Sequence, residues 1–489
     1  MNDNLKFNQS DLVVALDIGT TKVCAIAGRK NEYGKLEILG VGKVDSIGVM
    51  RGVVTNIEKT VTAIHEAVSA AQRSARTKFN VVHVGIAGQH IKSLRHHGQL
   101  IRDNDFTEIA QKDINRLIAD VYKLVLPPGD KILHIIPQEY TVDSEQGITD
   151  PVGMSGVKLE VNFHIITGQI SASNNIHRCV ERTGLKVADM TLEPIASAIA
   201  VLSEEEKEAG VALVDIGGGT TDITIFHEGI IRHTAVIPFG GNVITSDIKE
   251  GCTVMQQQAE QLKVKFGSAL ADEVVQNRII TIPGLKGRDY KEISEKNLAR
   301  IIQARMEEIF DAVMWEIGNS GFERKLIGGI VLTGGGALLN HVEKLCELNT
   351  GKSTRIGVPI EHLAHGYHEQ VCSPIYSTAI GLLLKGINEA EQRAAKQQRA
   401  ALSNAYEELH FEQQPHFNGN GNGNGNSNGN VTTHQQPAVT IPPPVQQPAQ
   451  PEMPKQNGSD KGRWYDNLFR KTKEWFEAEP DSDFNRKDD

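Results

Sequence analysis

Two stretches of the chain repeat one pattern of apolar and polar positions. Residues 13–28 read VVALDIGTTKVCAIAG, and residues 211–226 read VALVDIGGGTTDITIF. In each, an apolar run ends in Asp-Ile-Gly, a turn of small and hydroxyl residues follows, and a second strand-forming run begins. Short runs rich in β-branched residues and bounded by glycine predict buried strands joined as a hairpin with its glycines at the tip. Further strands are predicted over 35–43, 81–87, 134–142, 157–166 and 186–190. Helices are predicted over 57–75, where Ile57, Val61, Ile64 and Val68 share a face, and over 107–124, 174–183 and 254–266. The longest is predicted over 294–319, with Ser294 at its cap and Leu298, Ile301, Ile302, Met306, Ile309, Phe310, Val313 and Ile317 as its apolar stripe.

The pattern stops at residue 413. Asn and Gly repeat through Asn430, and Pro and Gln dominate from 435 to 454, so residues 413–460 offer almost nothing to bury and read as a flexible tether. As a random coil of about 48 residues it would reach roughly 35–40 Å. Beyond it, GRWYDNLFRKTKEWFE (462–477) regains helical periodicity: Trp464, Tyr465, Leu468, Phe469, Trp475 and Phe476 fall on one face. Arg463, Arg470, Lys471 and Lys473 take the flanks and the other side. A helix of about 16 residues is too short and too charged to span a bilayer, but it suits the headgroup plane. Docking on the folded domain or in a partner's groove is the alternative reading of such a helix. The tether, the Trp/Phe-rich face and the basic flank favour the membrane surface.

Composition narrows the class. With 489 residues and 39% of them apolar, the chain can bury at least two cores. A formal charge of −10 argues against a general nucleic-acid binder. Cys24, Cys179, Cys252, Cys346 and Cys372 are scattered, with no CxxC spacing, and read as buried thiols of a reducing cytosol. No segment approaches the roughly 18 apolar residues that cross a membrane, and the start MNDNLKFNQSD lacks a basic region followed by an apolar one. The expected place is the cytoplasm.

The hairpin tips are where chemistry is expected. Gly217, Gly218 and Gly219 free the backbone so that consecutive N–H groups can point at a phosphate, and Thr220 and Thr221 add hydroxyl donors. Asp215 and Asp222 flank this turn; carboxylates beside a phosphate cradle make sense chiefly with a divalent cation between them. One such hairpin is a weak signal, because structural glycine turns are commoner than nucleotide sites. Two, about 200 residues apart, suggest similar domains facing each other. A third cluster, LTGGGALL (332–339), follows an apolar run and precedes a helix-like segment.

These motifs, in this order, carry a resemblance to the actin, Hsp70 and sugar-kinase superfamily. DIGTTK (17–22) is similar to its first phosphate loop, DIGGGTTD (215–222) to its second and LTGGGALL to its adenosine loop. LEPIASAIA (192–200) resembles the helix connecting the halves, and AEQLKVKFG (259–267) the helix whose Glu and Lys contact ribose and adenine. Composition and spacing alone give only a two-lobed phosphate-binding protein. Within the superfamily, a block of about 80 residues after the fourth strand resembles the insertion of the FtsA branch, and the tether followed by an amphipathic helix is the layout of that bacterial cell division family.

The fold class expected is α/β: a two-lobed actin-like ATPase fold with an inserted subdomain in the first lobe, then the tether and the helix. Lobe 1 comprises 11–88 and 165–205 around the insertion at 89–164. Lobe 2 comprises 206–245 and 322–374 around a mainly helical outer subdomain at 246–321, and a helix at 375–400 closes onto lobe 1. The tether takes 413–460 and the membrane-targeting helix 461–477. The resemblance implies ATP held by Gly19, Thr20, Thr21 and Lys22 from one side and Gly217 to Thr221 from the other. Mg2+ would sit on Asp17 and Asp215 through waters; Glu260 and Lys263 would meet ribose and base, and Gly334, Gly335 and Gly336 would admit the adenosine. Glu193 stands where some relatives position an attacking water, although a helix-capping or lobe-bridging carboxylate would look the same. The resemblance also implies self-assembly into filaments at the inner face of the cell membrane at the division septum. It implies binding of the FtsZ C-terminal tail by the outer subdomain, recruitment of later division proteins, and at most slow ATP hydrolysis. A pilus-assembly-type scaffold is the nearest rival. A small-molecule kinase would gain nothing from the membrane helix, and the tether leaves no room for the peptide-binding domain of a chaperone.

Overall fold

The computed structural model describes residues 12–102, 107–284, 289–364 and 371–411, with side chains as far as residue 398. The tether and the terminal helix, with Trp464, Tyr465, Leu468, Phe469, Arg470, Lys471, Trp475 and Phe476, lie outside the described residues.

The first lobe opens with the antiparallel strands β1 (Val13–Ile18), β2 (Lys22–Lys30) and β3 (Leu36–Asp45), then the short hairpin of β4 (Val49–Met50) and β5 (Val53–Val54). Helix α1 (Ile57–Ala75) follows; Asn56 caps it by accepting from the Lys59 amide at 3.0 Å, and Ile64, Ala67, Val68 and Ala71 are buried at helical spacing. Strand β6 (Val81–Ile86) then pairs parallel to β1.

Here the chain leaves the lobe for β7 (Lys92–Ile101), α2 (Gln111–Val121), β8 (Asp130–Val142), β9 (Glu145–Ile148) and β10 (Lys158–Gln169), an antiparallel sheet in the order β7-β10-β8-β9. It has its own core, in which Ile114, Leu117 and Val121 of α2 meet Leu159, Val161 and Phe163 of β10. The register of β8 against β10 shifts at Pro137, which has no amide to give the ladder. The chain returns through α3 (Ile170–Arg182), β11 (Lys186–Leu192) and α4 (Glu193–Val201). Helix α3 begins at Ile170, ahead of the expected 174, because β10 runs directly into it.

The second lobe repeats the plan. After α5 (Glu204–Ala209) come β12 (Val211–Ile216), β13 (Thr221–His227) and β14 (Ile230–Ile237). The outer part follows: α6 (Gly241–Cys252), α7 (Gln256–Phe266), the hairpin β15 (Ile279–Ile282) and β16 (Lys291–Ser294), and α8 (Glu295–Ser320). This hairpin is an element that a mainly helical reading of the region passed over. Ser294 caps α8 by accepting from the Asn297 amide, and every expected stripe residue is buried except Ile301, which is partly covered. The lobe closes with β17 (Ile330–Thr333), α9 (Val342–Thr350) and β18 (Thr354–Ile356); α10 (Ser377–Phe411) then packs on α4 and on β1, β2 and β6 of lobe 1, and runs past the expected end at 400.

The two central sheets have one topology, β3-β2-β1-β6-β11 and β14-β13-β12-β17-β18. In both, an antiparallel meander continues into two parallel strands. Strands β1 and β12 are buried at every position, as expected when both sheet faces are covered. Helices α4 and α10 lie between the sheets: their core joins Val13, Ala15, Cys24 and Ile26 of lobe 1 to Val211, Leu213, Phe226 and Val331 of lobe 2. The hairpin tips at the ends of β1 and β12 are thereby fixed relative to each other.

Candidate functional site

The tips share one geometry. The Gly19 amide donates to the Lys22 carbonyl and the Gly217 amide to the Thr220 carbonyl, both at 2.9 Å. They also touch. A Cβ built on Gly218 would lie 2.2 Å from Thr21 Cγ2, and one on Gly219 would lie 2.6 Å from Thr20 Oγ1. Only glycine fits there, so the second loop presents backbone without side chains to Thr20 and Thr21 of the first.

Carboxylates gather behind the tips. Asp17 is buried and takes the Lys22 ammonium. Burial would lower Lys22, but the charge and hydrogen bond of Asp17, with Cys24 and Glu193, together outweigh it and hold the ammonium well above its ordinary range. Asp215 Oδ2 accepts from Ser197 Oγ of α4 at 2.7 Å and from Thr378 Oγ1 of α10 at 3.5 Å; burial raises it against the Ser197 hydrogen bond. Across the ladder from Asp215 stands Asp222, whose Oδ2 accepts from Thr220 Oγ1 at 2.9 Å while Oδ1 is buried without a protein partner. Burial, then the charge of Asp215, pushes Asp222 up to about 7. Glu193, the first residue of α4, lies over Gly85, where a Cβ would come 2.8 Å from its Cγ. Burial and the charges of Asp17, Asp222 and Asp215 drive it well above the carboxylate range, with Lys22 opposing. Four carboxylates facing the one ammonium of Lys22 need protons or a cation.

That arrangement sets a pH dependence. Asp222 holds a proton in the native protein up to about pH 7, whereas the unfolded chain releases it near 3.8. The native state binds more protons in that window, so stability falls as pH rises from about 4 through about 7 and levels off above it. Asp222→Asn should shrink the fall. Thermal melts of nucleotide- and metal-free protein between pH 5 and 8 measure it, and equal slopes in both proteins would refute the assignment.

The third glycine cluster divides in two. Gly334, at φ +81°, and Gly336 press on β12: a Cβ on the first would lie 2.3 Å from Asp215 Oδ1, and on the second 2.3 Å from Ile216 Cγ2. Gly335 is exposed, and a Cβ there would meet only Ile375 Cγ2, at 3.8 Å. Thus two of the three seat the loop on the strand, and Gly335 presents its outer side.

Helix α7 reaches the second loop through α6. The Gly241 amide donates to the Gly217 carbonyl at 2.9 Å, and Lys263 Nζ donates to the Gly241 carbonyl at 2.9 Å and to Thr245 Oγ1 at 2.8 Å. Glu260 pairs with Lys263 at 2.8 Å and accepts from Thr245 Oγ1 at 2.5 Å. Glu260 and Lys263 are therefore wired to the same loop as Gly217. Ser197, Thr378 and Thr245 were missed from the sequence. Only Ser197 had a local signal, standing four residues after Glu193 on a helix. Among the described residues, the one group of three metal-type ligands within 4.8 Å of one another is His83, Asp189 and Glu389, away from the tips; Lys385 already fills it, at 2.6 Å from Asp189 and 2.8 Å from Glu389.

The family model described as cell division protein FtsA matches residues 212–381, and the model of the SHS2 domain inserted in FtsA matches residues 88–167. A cell division protein FtsA of Pseudomonas aeruginosa is 43% identical over 379 residues, which cover 77% of this chain and 90% of that protein. This chain belongs to the FtsA family. The FtsA of Escherichia coli is 35% identical over 403 residues, 80% of this chain and 95% of its own length. Among solved structures, a PilM-PilN type IV pilus biogenesis complex aligns with a TM-score of 0.55 over 77% of this chain and 98% of the matched one, at 15% identity. That likeness is one of fold. The chain is thus an actin-like α/β member of a cell division family, and the SHS2 match covers the sheet β7-β10-β8-β9 up to the last two residues of β10.

Proposed function

We propose that this FtsA-family chain binds Mg-ATP between its lobes and uses it to assemble filaments at the inner face of the cell membrane, where it anchors FtsZ. The observation that supports the nucleotide reading best is the meeting of Thr20 and Thr21 with the side-chain-free backbone of Gly218 and Gly219 in front of buried carboxylates. Gly19, Thr20, Thr21 and Lys22 donate to phosphates from one side, and Gly217, Gly218, Gly219, Thr220 and Thr221 from the other. The acids fit a hydrated cation: Asp17 and Asp215 lie behind the loops, and Asp222 Oδ1 has no protein partner. Magnesium supplies the charge neutralisation that the acid cluster and the phosphates both need. Glu260, Lys263 and the loop Gly334, Gly335 and Gly336 take the adenosine end.

Glu193 explains why nucleotide would serve assembly more than turnover. Burial and the charges of Asp17, Asp222 and Asp215 hold it well above the carboxylate range, which disfavours the charged form that a general base needs until a cation relieves the cluster. Hydrolysis is then slow, and the bound state persists long enough to organise a filament. The outer subdomain at 246–321 is the proposed seat of the FtsZ tail, the assembly recruits later division proteins, and the helix at 461–477 holds it to anionic lipid.

Gly218→Val tests the site, because its side chain would occupy the space of Thr21. ATP affinity by calorimetry should fall at least about tenfold with the circular dichroism spectrum unchanged. Equal affinity in variant and wild type would remove the two-loop reading.

A further inference from the structure

A buried pair of hydroxyls bears on Asp215 from both helices that lie between the sheets, and neither motif nor resemblance assigns it a role. Ser197 stands in α4 between apolar neighbours and is fully buried. A hydroxyl taken out of water needs a partner. On a helix that partner is often the carbonyl four residues back, as for Thr245 and Ser246 of α6, which donate to the Gly241 and Asn242 carbonyls, both at 3.1 Å. Ser197 bonds outward instead. Its Oγ donates to Asp215 Oδ2 at 2.7 Å and lies 3.0 Å from Oγ1 of Thr378, the second residue of α10.

The protons of this pair can be placed. An ionised carboxylate only accepts, so the Ser197 proton goes to Asp215 over the shorter bond. Thr378 also has one proton, and by distance Ser197 Oγ at 3.0 Å is a better acceptor for it than Asp215 Oδ2 at 3.5 Å. The hydroxyls therefore form a chain from Thr378 through Ser197 to Asp215, in which each bond polarises the next. On the other side of the carboxylate, a Cβ on Gly334 would lie 2.3 Å from Oδ1. Asp215 is thus held in one orientation beside the second loop. A carboxylate so fixed presents the same oxygen to a cation without first having to be ordered, and partners of this kind are worth roughly 10–100-fold in metal affinity elsewhere.

We infer that Ser197, backed by Thr378, is a positioning residue of the cation site, fixing Asp215 by Oδ2 and so setting how strongly Mg2+ joins the bound nucleotide. This rests on the Mg-ATP reading of the cleft. It ties the cation to the packing of α4 on α10, because the chain of hydroxyls is complete only where the two helices meet.

Calorimetry of the full chain with ATP, in Mg2+ and in EDTA, tests it, the ratio of the two affinities being the coupling between nucleotide and metal. Ser197→Ala should cut that ratio about tenfold while the affinity in EDTA stays within about threefold of wild type. Thr378→Val should cut it about threefold and add no more than about twofold to Ser197→Ala in the double variant, because its proton acts through Ser197. Thr378→Ser, which keeps the hydroxyl, should keep the wild-type ratio. So should Ser173→Ala, which removes another fully buried hydroxyl, one that donates to Met190 Sδ at 3.4 Å. An equal loss with and without Mg2+ in Ser197→Ala would mark a merely structural role and overturn the inference. An unchanged ratio would do the same, in Ser197→Ala or, if that variant does not fold, in Thr378→Val. A wild type that binds ATP equally with and without Mg2+ would overturn it and leave the two-loop site standing. Absence of ATP binding by the wild type would instead remove the site reading itself, and this inference with it.

Discussion

Replacing Trp464 and Phe469 together by Asp should release the full chain from anionic liposomes almost completely. The sequence periodicity predicts that six large apolar side chains, Trp464, Tyr465, Leu468, Phe469, Trp475 and Phe476, share one face of a helix, and burying such a face at the acyl boundary is what holds an interfacial helix. Two carboxylates in its middle convert that gain into a desolvation cost. Binding also has to order the helix, so a single copy attaches only reversibly. A filament presents many copies, each acting at an effective concentration set by its tether, which raises avidity by roughly 10²–10⁴ without any new contact. Lys471→Gln removes a single attraction of about 1 kcal/mol, which salt screens, and should matter mainly at low salt on strongly anionic lipid. Flotation of wild type and both variants separates the terms. A double-Asp variant that floats as well as wild type would show that the helix instead docks on the core or on a protein partner.

Much of the fold is legible because its signals are local. An apolar run ending in Asp-Ile-Gly followed by hydroxyls locates both hairpins, and the 3.6-residue stripe from Leu298 to Ile317 gives α8 with its Ser294 cap. Elements whose evidence is weaker were misjudged at their ends or missed. Helix α10 continues to Phe411 on Ala, Gln, Arg and Glu, good helix formers with no apolar stripe to announce them. Strands β15 and β16 are four residues each and half exposed, too short for their alternation to stand out in a helical region.

The site divides the same way. Gly218 and Gly219 are readable as glycines that need to be bare. That Gly334 and Gly336 seat the loop while Gly335 faces out depends on where β12 runs, which no local pattern states. The turn of Arg51 and Gly52 meets Thr20 and Gly219 only because β4 and β5 fold back against both loops. Thr378 meets Asp215 across 163 residues of sequence, a proximity made by the closure of α10 on α4.

That closure predicts the second large effect. A Cβ on Gly381 of α10 would lie 1.7 Å from the Ala196 carbonyl oxygen and 2.3 Å from its carbon, backbone atoms of α4 that no rotamer change can move aside. Gly381→Val must therefore separate the two helices, opening the core they share with both sheets, at a cost of about 2–4 kcal/mol. The damage extends to the cleft, because α4 carries Glu193 and Ser197, α10 carries Thr378, and the Ser197 and Thr378 hydroxyls lie 3.0 Å apart over Asp215. ATP affinity should fall along with the melting temperature. Gly318→Ala on α8 is the contrast: a Cβ there meets nothing within 4 Å, so the better helix former should hold or raise stability by up to about 1 kcal/mol and leave ATP binding alone. Thermal melts with and without Mg-ATP measure both variants. A Gly381→Val protein that melts with wild type would mean that α4 and α10 can part freely, and the coupling of lobe closure to the Asp215 site would fall with it.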